Sequence, residues 1–526
     1  MTKKNRTKNY SVEVVSNLYA GTTGYGEAGA SYKKKAFKSF NAKSSSPNSD
    51  INYNLNALRN RSRMLYMSGG IGTAAIKTTV SNVVGVGLTP NPCIDFDFLG
   101  MSKDNAKQWQ QRALRLWDLW ANNKRNCDSR GMCNFYQLEE IALLGALMNG
   151  DSFALIKRTD IKPMQPLSLR LDVIEADLVS TPKDLRSSNN LTDGLNKDNN
   201  NKIYNGVEVD DNGLIEAYHI CNQYPLFDFK YKSNAKWKRI QAFGEKTGTP
   251  NILHICKIER GGQYRGVPLL AQILEPLLQM RRYTESELMA ALVNSFFTAF
   301  IITEKEEPVI TDDVNNPNNN LSEEELTMGP GAINQLEPGE DIRFADPNHP
   351  NSGFDTFMKT LSQICGSIIE LPAEVILKAF NSNYSASRAA INEAWKMFLS
   401  RRVWFASDFC QPTWEMFIDE AVARNYLSAP GYFTDPLIRQ AYLKNRWAGS
   451  MQAQLDPVKE VQAEILKCQN GFSTRKESTI RLNGGNFEAN VLDLEKENAL
   501  LKEANNGIET DMKIDNKEEK ENDNTN

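Results

Sequence analysis

Residues 269–302 read LLAQILEPLLQMRRYTESELMAALVNSFFTAFII. This stretch looks like one helix. Its 34 residues would run about 51 Å at ~1.5 Å per residue, with Pro276 a kink in the first turns. A second helical pattern follows at Phe354, Phe357, Met358, Leu361, Ile364, Cys365, Ile368 and Ile369, and Pro372 closes it. Between the two, 303–326 carries eight acids against Lys305 alone, among them Glu304, Glu306, Glu307, Glu323 and Glu324. A third long helix is expected from about Ser387 past Phe409, with Ile391, Ala394, Trp395, Phe398, Arg402 and Phe405 on one side. The polar turn Asn381-Ser382-Asn383-Tyr384 lies between the last two, with Lys378 before it and Arg388 after it. It is either a solvated interhelical loop or a phosphate-contacting one.

Upstream the pattern is mixed. Ala106, Trp109, Ala113, Leu116, Trp117 and Trp120 make one apolar helical stripe, read as core rather than as a platform for stacked bases. Asn134 and Gln137 form a capping-box pair opening a helix through Met148, which stops at Asn149-Gly150-Asp151 and hands over to a strand at 152–157. Val207-Glu208-Val209, a turn at 210–213 and Leu214 to Ile220 read as a β-hairpin. The Asn-, Asp- and Ser-rich 187–201 before it is expected to be a loop, and a last helical piece covers 488–503. The class is therefore α+β.

The 526 residues leave room for several compact units, and 40% apolar with 24% charged residues is ordinary globular usage. Net charge is −4, so nothing global marks a polyanion-coating protein. Charge is unevenly placed. Residues 1–45 hold nine Lys or Arg against Glu13 and Glu27, and 509–526 hold seven acids against three Lys. The first reads as a flexible basic arm, either solubilising or a contact for nucleic acid or a partner, and the second as a disordered acidic tail. The most apolar stretch, 288–302, is 15 residues interrupted by Asn294, Ser295 and Thr298, too short to cross a bilayer. No secretory h-region follows the basic N-terminus, so the chain is expected to stay in the cytoplasm where it is made.

Enzymatic signatures are weak. Gly24, Gly26 and Gly29 spell a G-x-G-x-x-G, but Ser31-Tyr32-Lys33-Lys34-Lys35 follows where a packing helix is needed. No phosphate-binding G-x-x-x-x-G-K-[ST] occurs, and Gly244-Glu245-Lys246-Thr247 fails its spacing. Eight scattered cysteines without C-x-x-C and three histidines, His219, His254 and His349, give no zinc spacing, and each His reads as structural. Asp95 with Asp97, or Glu323 to Glu325, would have to converge on one point to hold Mg²⁺ for nuclease chemistry, which sequence neighbours seldom do.

Several segments, taken in order, resemble the lambda family of bacteriophage portal proteins: Leu58-Arg59-Asn60-Arg61-Ser62-Arg63, Asn82-Val83-Val84-Gly85-Val86-Gly87-Leu88, Asn149-Gly150-Asp151 and Ile174-Glu175-Ala176-Asp177. The series continues with Arg260-Gly261-Gly262-Gln263-Tyr264-Arg265-Gly266-Val267-Pro268, Leu336-Glu337-Pro338-Gly339-Glu340, Asn383-Tyr384-Ser385-Ala386-Ser387-Arg388-Ala389-Ala390 and Asp456-Pro457-Val458-Lys459-Glu460. The resemblance spans about 51–503. One departure is Ser385-Ala386-Ser387, where the family more often has adjacent serines.

The resemblance implies a ring, typically of twelve copies, at one capsid vertex, through which double-stranded DNA is packaged and ejected. It implies docking of the terminase large subunit and later of head-completion and tail connector proteins, contacts with major capsid and scaffold proteins, and residence in the virion after assembly in the host cytoplasm. On this chain it maps 1–50 as the arm, 51–267 as an α+β wing, 268–302 and 354–370 as stem helices and 303–353 as a clip. It maps 371–387 as a tunnel loop, 388–440 as a long helix returning to the wing, 441–504 as a helical crown and 505–526 as the tail. Lys378, Asn381, Asn383, Tyr384 and Arg388 become the candidate channel residues, and Glu304, Glu306, Glu307, Glu323 and Glu324 the candidate motor-facing ones. No cofactor, metal, membrane or catalytic residue is expected. Two alternatives remain, a metal-dependent nuclease or other packaging enzyme and a head–tail adaptor without a pore.

Overall fold

The computed structural model describes residues 34–37, 39–40, 42–187, 190–224, 235–295, 299–303, 340–344, 353–380, 384–452, 457–485 and 487–522. Among the described residues a 3₁₀ turn at Lys35–Phe37 comes first, and α1 (Pro47–Met67) follows, starting a few residues inside the expected arm. Ser46 accepts a hydrogen bond from the Ser49 amide at 3.1 Å, and Pro47 occupies the first helical position, where a missing N–H costs nothing. Next come α2 (Ile71–Val83), β1 (Thr89–Pro92), α3 (Lys103–Ala121), α4 (Lys124–Cys127) and α5 (Phe135–Asn149). The Asn134/Gln137 capping box is present, with reciprocal bonds of 2.9 and 3.0 Å. The tryptophan stripe of α3 is core, as expected: Trp117 and Trp120 are buried, and Trp117 meets Phe135 edge-on at 4.9 Å and Trp414 at 5.3 Å.

From Gly150 the chain turns into β2 (Asp151–Arg158), which pairs antiparallel with β3 (Leu169–Ile174). A meander follows: β4 (Arg186–Ser187), β5 (Asn190–Leu195), β6 (Lys202–Tyr204), β7 (Val207–Val209), β8 (Ile215–Cys221) and β9 (Trp237–Gln241), hydrogen-bonded in that order. β10 (Ile252–Cys256) then closes on β2, giving a three-stranded sheet in the order β10-β2-β3. The expected hairpin is β7–β8, with its register shifted between Glu208 and Val209. The loop expected at 187–201 is instead largely β5 and the turn into β6. Three of its asparagines serve the fold, because the amides of Asn196, Asn199 and Asn201 donate to the buried Glu208 carboxylate at 2.8–3.2 Å.

The single helix expected over 269–302 does not form. After a 3₁₀ turn at Ala271–Ile273, α6 spans Leu274–Ser295, about 33 Å at ~1.5 Å per residue, and the chain then becomes β11 (Ala299–Thr303). Phe300, Ile301, Ile302 and Thr303 are aromatic or β-branched and favour a pleated strand. They pair antiparallel with β12 (Glu340–Phe344), some forty residues later. The stretch expected to be stem helix up to 302 therefore closes on a strand. Of the rest of 303–353, only Gly353 and this closing ribbon are described, so all five acidic candidates lie outside the described residues.

α7 (Phe354–Ile368) returns alongside α6, with Tyr283 against Phe354 and Phe357 at 5.4 and 5.0 Å. Its end reaches Leu269 and Gln272, so the two helices are antiparallel. Then come α8 (Ala373–Leu377), α9 (Tyr384–Phe405), a π turn at Ala406–Cys410 and α10 (Gln411–Ala423). The expected third helix is continuous through that wider turn. Pro412 has no N–H for the Asp408 carbonyl, and the Gln411 amide bonds five residues back to Ala406.

α11 (Pro436–Leu443) runs across the boundary drawn at 440. β13 (Asn445–Ala448) pairs with β1 and so ties the segment expected to be a helical crown to the N-terminal part. α12 (Pro457–Gln469), α13 (Arg475–Asn483) and α14 (Phe487–Asn522) complete the chain. The acidic tail, expected to be disordered, continues α14 as far as Asn522, in keeping with its supply of Glu and Lys, which are strong helix formers.

Candidate channel segment and the hub that holds it

The chain leaving α7 is held by tight backbone contacts. The Leu371 amide bonds to the Gly366 carbonyl at 2.8 Å, and a Cβ on Gly366 would sit 2.3 Å from the Leu371 carbonyl oxygen, so only glycine fits there. Glu370 adopts a left-handed φ of 62° to make the turn. Pro372 precedes α8, which buries Ile376 and leaves Leu377 exposed. Lys378 ends α8, also left-handed at φ 53°, with its amide bonded to the Glu374 carbonyl and its side chain exposed. The short helix is thus bounded on both sides by reversals. Arg401 on α9 braces the base, donating from Nη2 to the Ile369 carbonyl at 3.3 Å.

Of the candidate channel residues, Lys378 is presented to solvent. Arg388 is not free: its guanidinium lies 3.8 Å from Glu460 on α12, and it lines a cavity of about 950 Å³ with Trp395, Arg402 and Arg481. The two cations that sequence placed on either side of one turn therefore differ in surroundings, Arg388 facing Glu460 and Lys378 facing solvent. Asn381 and Asn383 lie outside the described residues. Of Tyr384 only its place at the start of α9 is described.

An ion cluster that sequence reasoning missed as a unit joins α1, the start of β2 and the segment around Arg265. Asp151, wholly buried, accepts from Arg265 Nε at 2.6 Å and Arg59 Nη2 at 2.6 Å, and Arg265 also donates to the carbonyls of Ala176 and Val179 at 2.9 Å each and to that of Asn205. Arg59 Nε reaches the Asn149 carbonyl at 2.8 Å, and Arg63 pairs with Asp177 and lies 3.4 Å from Glu175. Three arginines face three carboxylates. Burial alone would raise the Asp151 carboxyl, but Arg265 and Arg59 outweigh it and hold it well below the usual range. Glycine is required beside it, because a Cβ on Gly266 would stand 1.8 Å from the Gly150 carbonyl oxygen, and one on Gly150 2.4 Å from that of Gly266. Arg59, Asn149, Asp151, Asp177 and Arg265 come from four of the segments quoted above.

A second join sits at 82–88. Arg402 donates to the carbonyls of Val83, Asn82 and Ser450 at 2.9, 2.7 and 2.6 Å, a cation closing the end of α2. The buried Glu139 accepts from the Leu88 amide at 2.7 Å and lies 3.3 Å from Cys410 Sγ. Burial pushes its carboxyl well above the usual range, only partly offset by these bonds.

The other candidates for chemistry resolve into structure. His219 bonds Glu208 at 2.8 Å inside the meander, and Arg239 supplies that carboxylate with two further bonds of 2.9 Å. His254 stacks on Phe153 at 4.3 Å, and burial holds it below its ordinary value. Asp151, His254 and Cys256 have ligand atoms within 4.8 Å of one another, but the carboxylate is already taken by two guanidiniums, a poor setting for a cation. Asp95 accepts from the Phe98 amide at 3.3 Å and faces Lys444 at 3.5 Å, as a turn residue does. His349 and the glycines at 24, 26 and 29 lie outside the described residues.

The profile of the family described as phage portal protein, lambda family, matches residues 33–402. Portal protein B of Escherichia phage lambda is 22% identical over 458 residues, covering 83% of this chain and 82% of its own length. The portal protein of Escherichia phage N15 is 21% identical over 431 residues, covering 78% of each. Among solved structures, a chain from the virion of a native gene transfer agent particle aligns over 82% of this chain and 93% of its own, with a TM-score of 0.42 and 14% identity. Another, from the neck of that particle determined with C12 symmetry, aligns over 82% and 94% with a TM-score of 0.39 and 12% identity.

Proposed function

The chain belongs to the lambda family of phage portal proteins, and from that premise we propose that copies of it close into a ring, typically of twelve, whose bore passes double-stranded DNA into the capsid and out again. It is a structural head–tail connector and not an enzyme. The observation that carries the channel reading is the antiparallel pair α6–α7, which springs from the Asp151 hub and continues into the β11–β12 ribbon. Such a pair repeated head to tail around an axis makes a wall, and a heterologous interface that closes leaves no free end.

In this arrangement α6 and α7 are the stem, and the ribbon is the root of an acidic clip that meets the terminase large subunit. The segment from Leu371 to the start of α9 is the loop facing DNA. The sheets with α1–α5 form the wing that meets capsid and scaffold proteins, and α12–α14 belong to the crown. Head-completion and tail connector proteins bind the clip after the motor leaves, and the ring sits at one vertex of the virion after assembly in the host cytoplasm. DNA carries one charge per roughly 1.7 Å of axis, so a bore studded with cations would grip it by counterion release. Lys378 near Glu370 and Glu374 is a sparse arrangement that suits sliding.

Electron micrographs of the purified protein test the reading by showing rings with an axial hole; monomers under every assembly condition would sink it. Lys378→Gly should keep the rings while changing how much DNA stays packaged. Loss of rings in that variant would make the residue structural. Mg²⁺ with linear DNA should give no cleavage.

A further inference from the structure

The last helix carries a pattern that the channel does not use. In α14, Phe487, Val491, Leu494, Asn498 and Leu501 recur at alternating spacings of four and three, and the sequence carries the repeat on through Asn505, Ile508 and Met512. This is a heptad with Val491, Asn498 and Asn505 at a positions and Phe487, Leu494, Leu501 and Ile508 at d. A period of 3.5 held over these turns specifies a seam facing another helix. In the chain by itself three apolar positions of the seam's described part are exposed. Val491 is 44% exposed, Leu494 53% and Leu501 58%, while the first turns of α14 rest on α13 through Lys476 and Glu488 at 3.4 Å.

We propose that α14 is a self-association element which packs against the same helix of a second copy, parallel and in register. Two features select this partner. Glu497 at a g position and Lys502 at the following e position attract each other across a parallel pair of identical helices, each end supplying the charge the other needs. Asn498 and Asn505 at a positions meet their own counterparts only when identical helices run the same way in the same register; against Val or Leu their amides would be buried unpaired. The seam does not depend on a pore, although copies related by rotation about a ring axis would present their C-terminal helices in the parallel sense it requires.

The test is cross-linking of the full chain. The exposed seam positions tolerate substitution without disturbing the fold of one copy, and unchanged circular dichroism checks that. Under mild oxidation Val491→Cys and Leu501→Cys should each form disulfide-linked dimers at least tenfold above the unsubstituted chain, whose own cysteines set the background. Lys496→Cys, on the far side of the helix, should stay at background. Adding Leu494→Glu to either seam variant should cut its cross-linking about tenfold. Equal yield at 496 and 491, or yield at only one of 491 and 501 as an antiparallel pair would give, overturns the proposal. Background yield at both seam positions overturns it too. Particle images score the ring separately: rings without seam cross-links refute this inference alone, and cross-links without rings refute the channel alone.

Discussion

Replacing Asp151 by Asn keeps the shape of the hub and removes its central charge. Two guanidiniums, Arg59 and Arg265, then face each other in the protein interior without the carboxylate that binds both at 2.6 Å. Solvent cannot compensate, because the Arg265 side chain is fully buried and that of Arg59 is 3% exposed. Breaking a buried pair by removing one partner costs about 3–5 kcal/mol, chiefly the desolvation of the charge left behind. For a cooperative unit of some 150–250 residues each kcal/mol moves the midpoint by about 2–4 °C, so a fall of roughly 6–20 °C is expected in differential scanning calorimetry. Adding Arg265→Met to the Asp151→Asn variant should restore part of the loss, since it takes away one orphaned charge, and the double-mutant cycle should show a coupling above ~1 kcal/mol. The pH profile is a second readout. Asp151 titrates lower in the folded chain than in the unfolded one, so its contribution is full above an unfolded value near 3.9 and is lost as pH falls through the lower folded value. Asp151→Asn should therefore flatten the acid limb. A midpoint within 2 °C of the parent, together with an unchanged acid limb, would refute the claim that this cluster locks the body together.

Gly266→Ala should cost more than about 4 kcal/mol, enough to leave little soluble protein on expression, because the new methyl would meet the Gly150 carbonyl oxygen at 1.8 Å. Glu139→Gln should stay within about 1 kcal/mol of the parent in denaturant titrations, since the amide still accepts from the Leu88 amide. The parent carboxyl titrates higher folded than unfolded, so its contribution is full below an unfolded value near 4.3 and fades as pH rises through the folded one; the Gln variant should lack that alkaline decline. Lys378→Ile should lower stability by about 1–3 kcal/mol and Lys378→Gly by far less in the same titration, because a β-branched residue resists the left-handed backbone at φ 53°.

What could be read from sequence divides by range of interaction. The α3 tryptophans, the α5 capping box, the β7–β8 hairpin and the α7 pattern depend on neighbours within a few residues, and they form as the spacing predicts. The end of α6 does not. Residues 299–303 leave the helix because they find a strand partner at 340–344, a pairing no local window contains. The same holds for 187–201, whose polar composition reads as a loop until Glu208 is seen to need three asparagine amides. At the candidate site, Lys378 was singled out for its charge, yet its left-handed backbone carries no signal in a lysine. Arg388 looked like its twin until α12 brought Glu460 beside it.

The segments through which the chain resembles its family make the same point about mechanism. Arg59, Asn149, Asp151, Asp177 and Arg265 all meet in the buried hub, and Asn82, Val83 and Leu88 meet Arg402 and Glu139 at the second join. A conduit performs no bond chemistry, so it has no catalytic constellation to display. What such a structure has to specify is how rigidly two helices and a ribbon are held to the body that supports them. A neutral cluster of six charged groups does this with directional bonds that an apolar core cannot supply, and at its centre Arg59, Asp151 and Arg265 are shielded from solvent. Much of the recognisable sequence therefore specifies how the body is joined together, whereas Tyr384 to Ala390 falls at the start of α9.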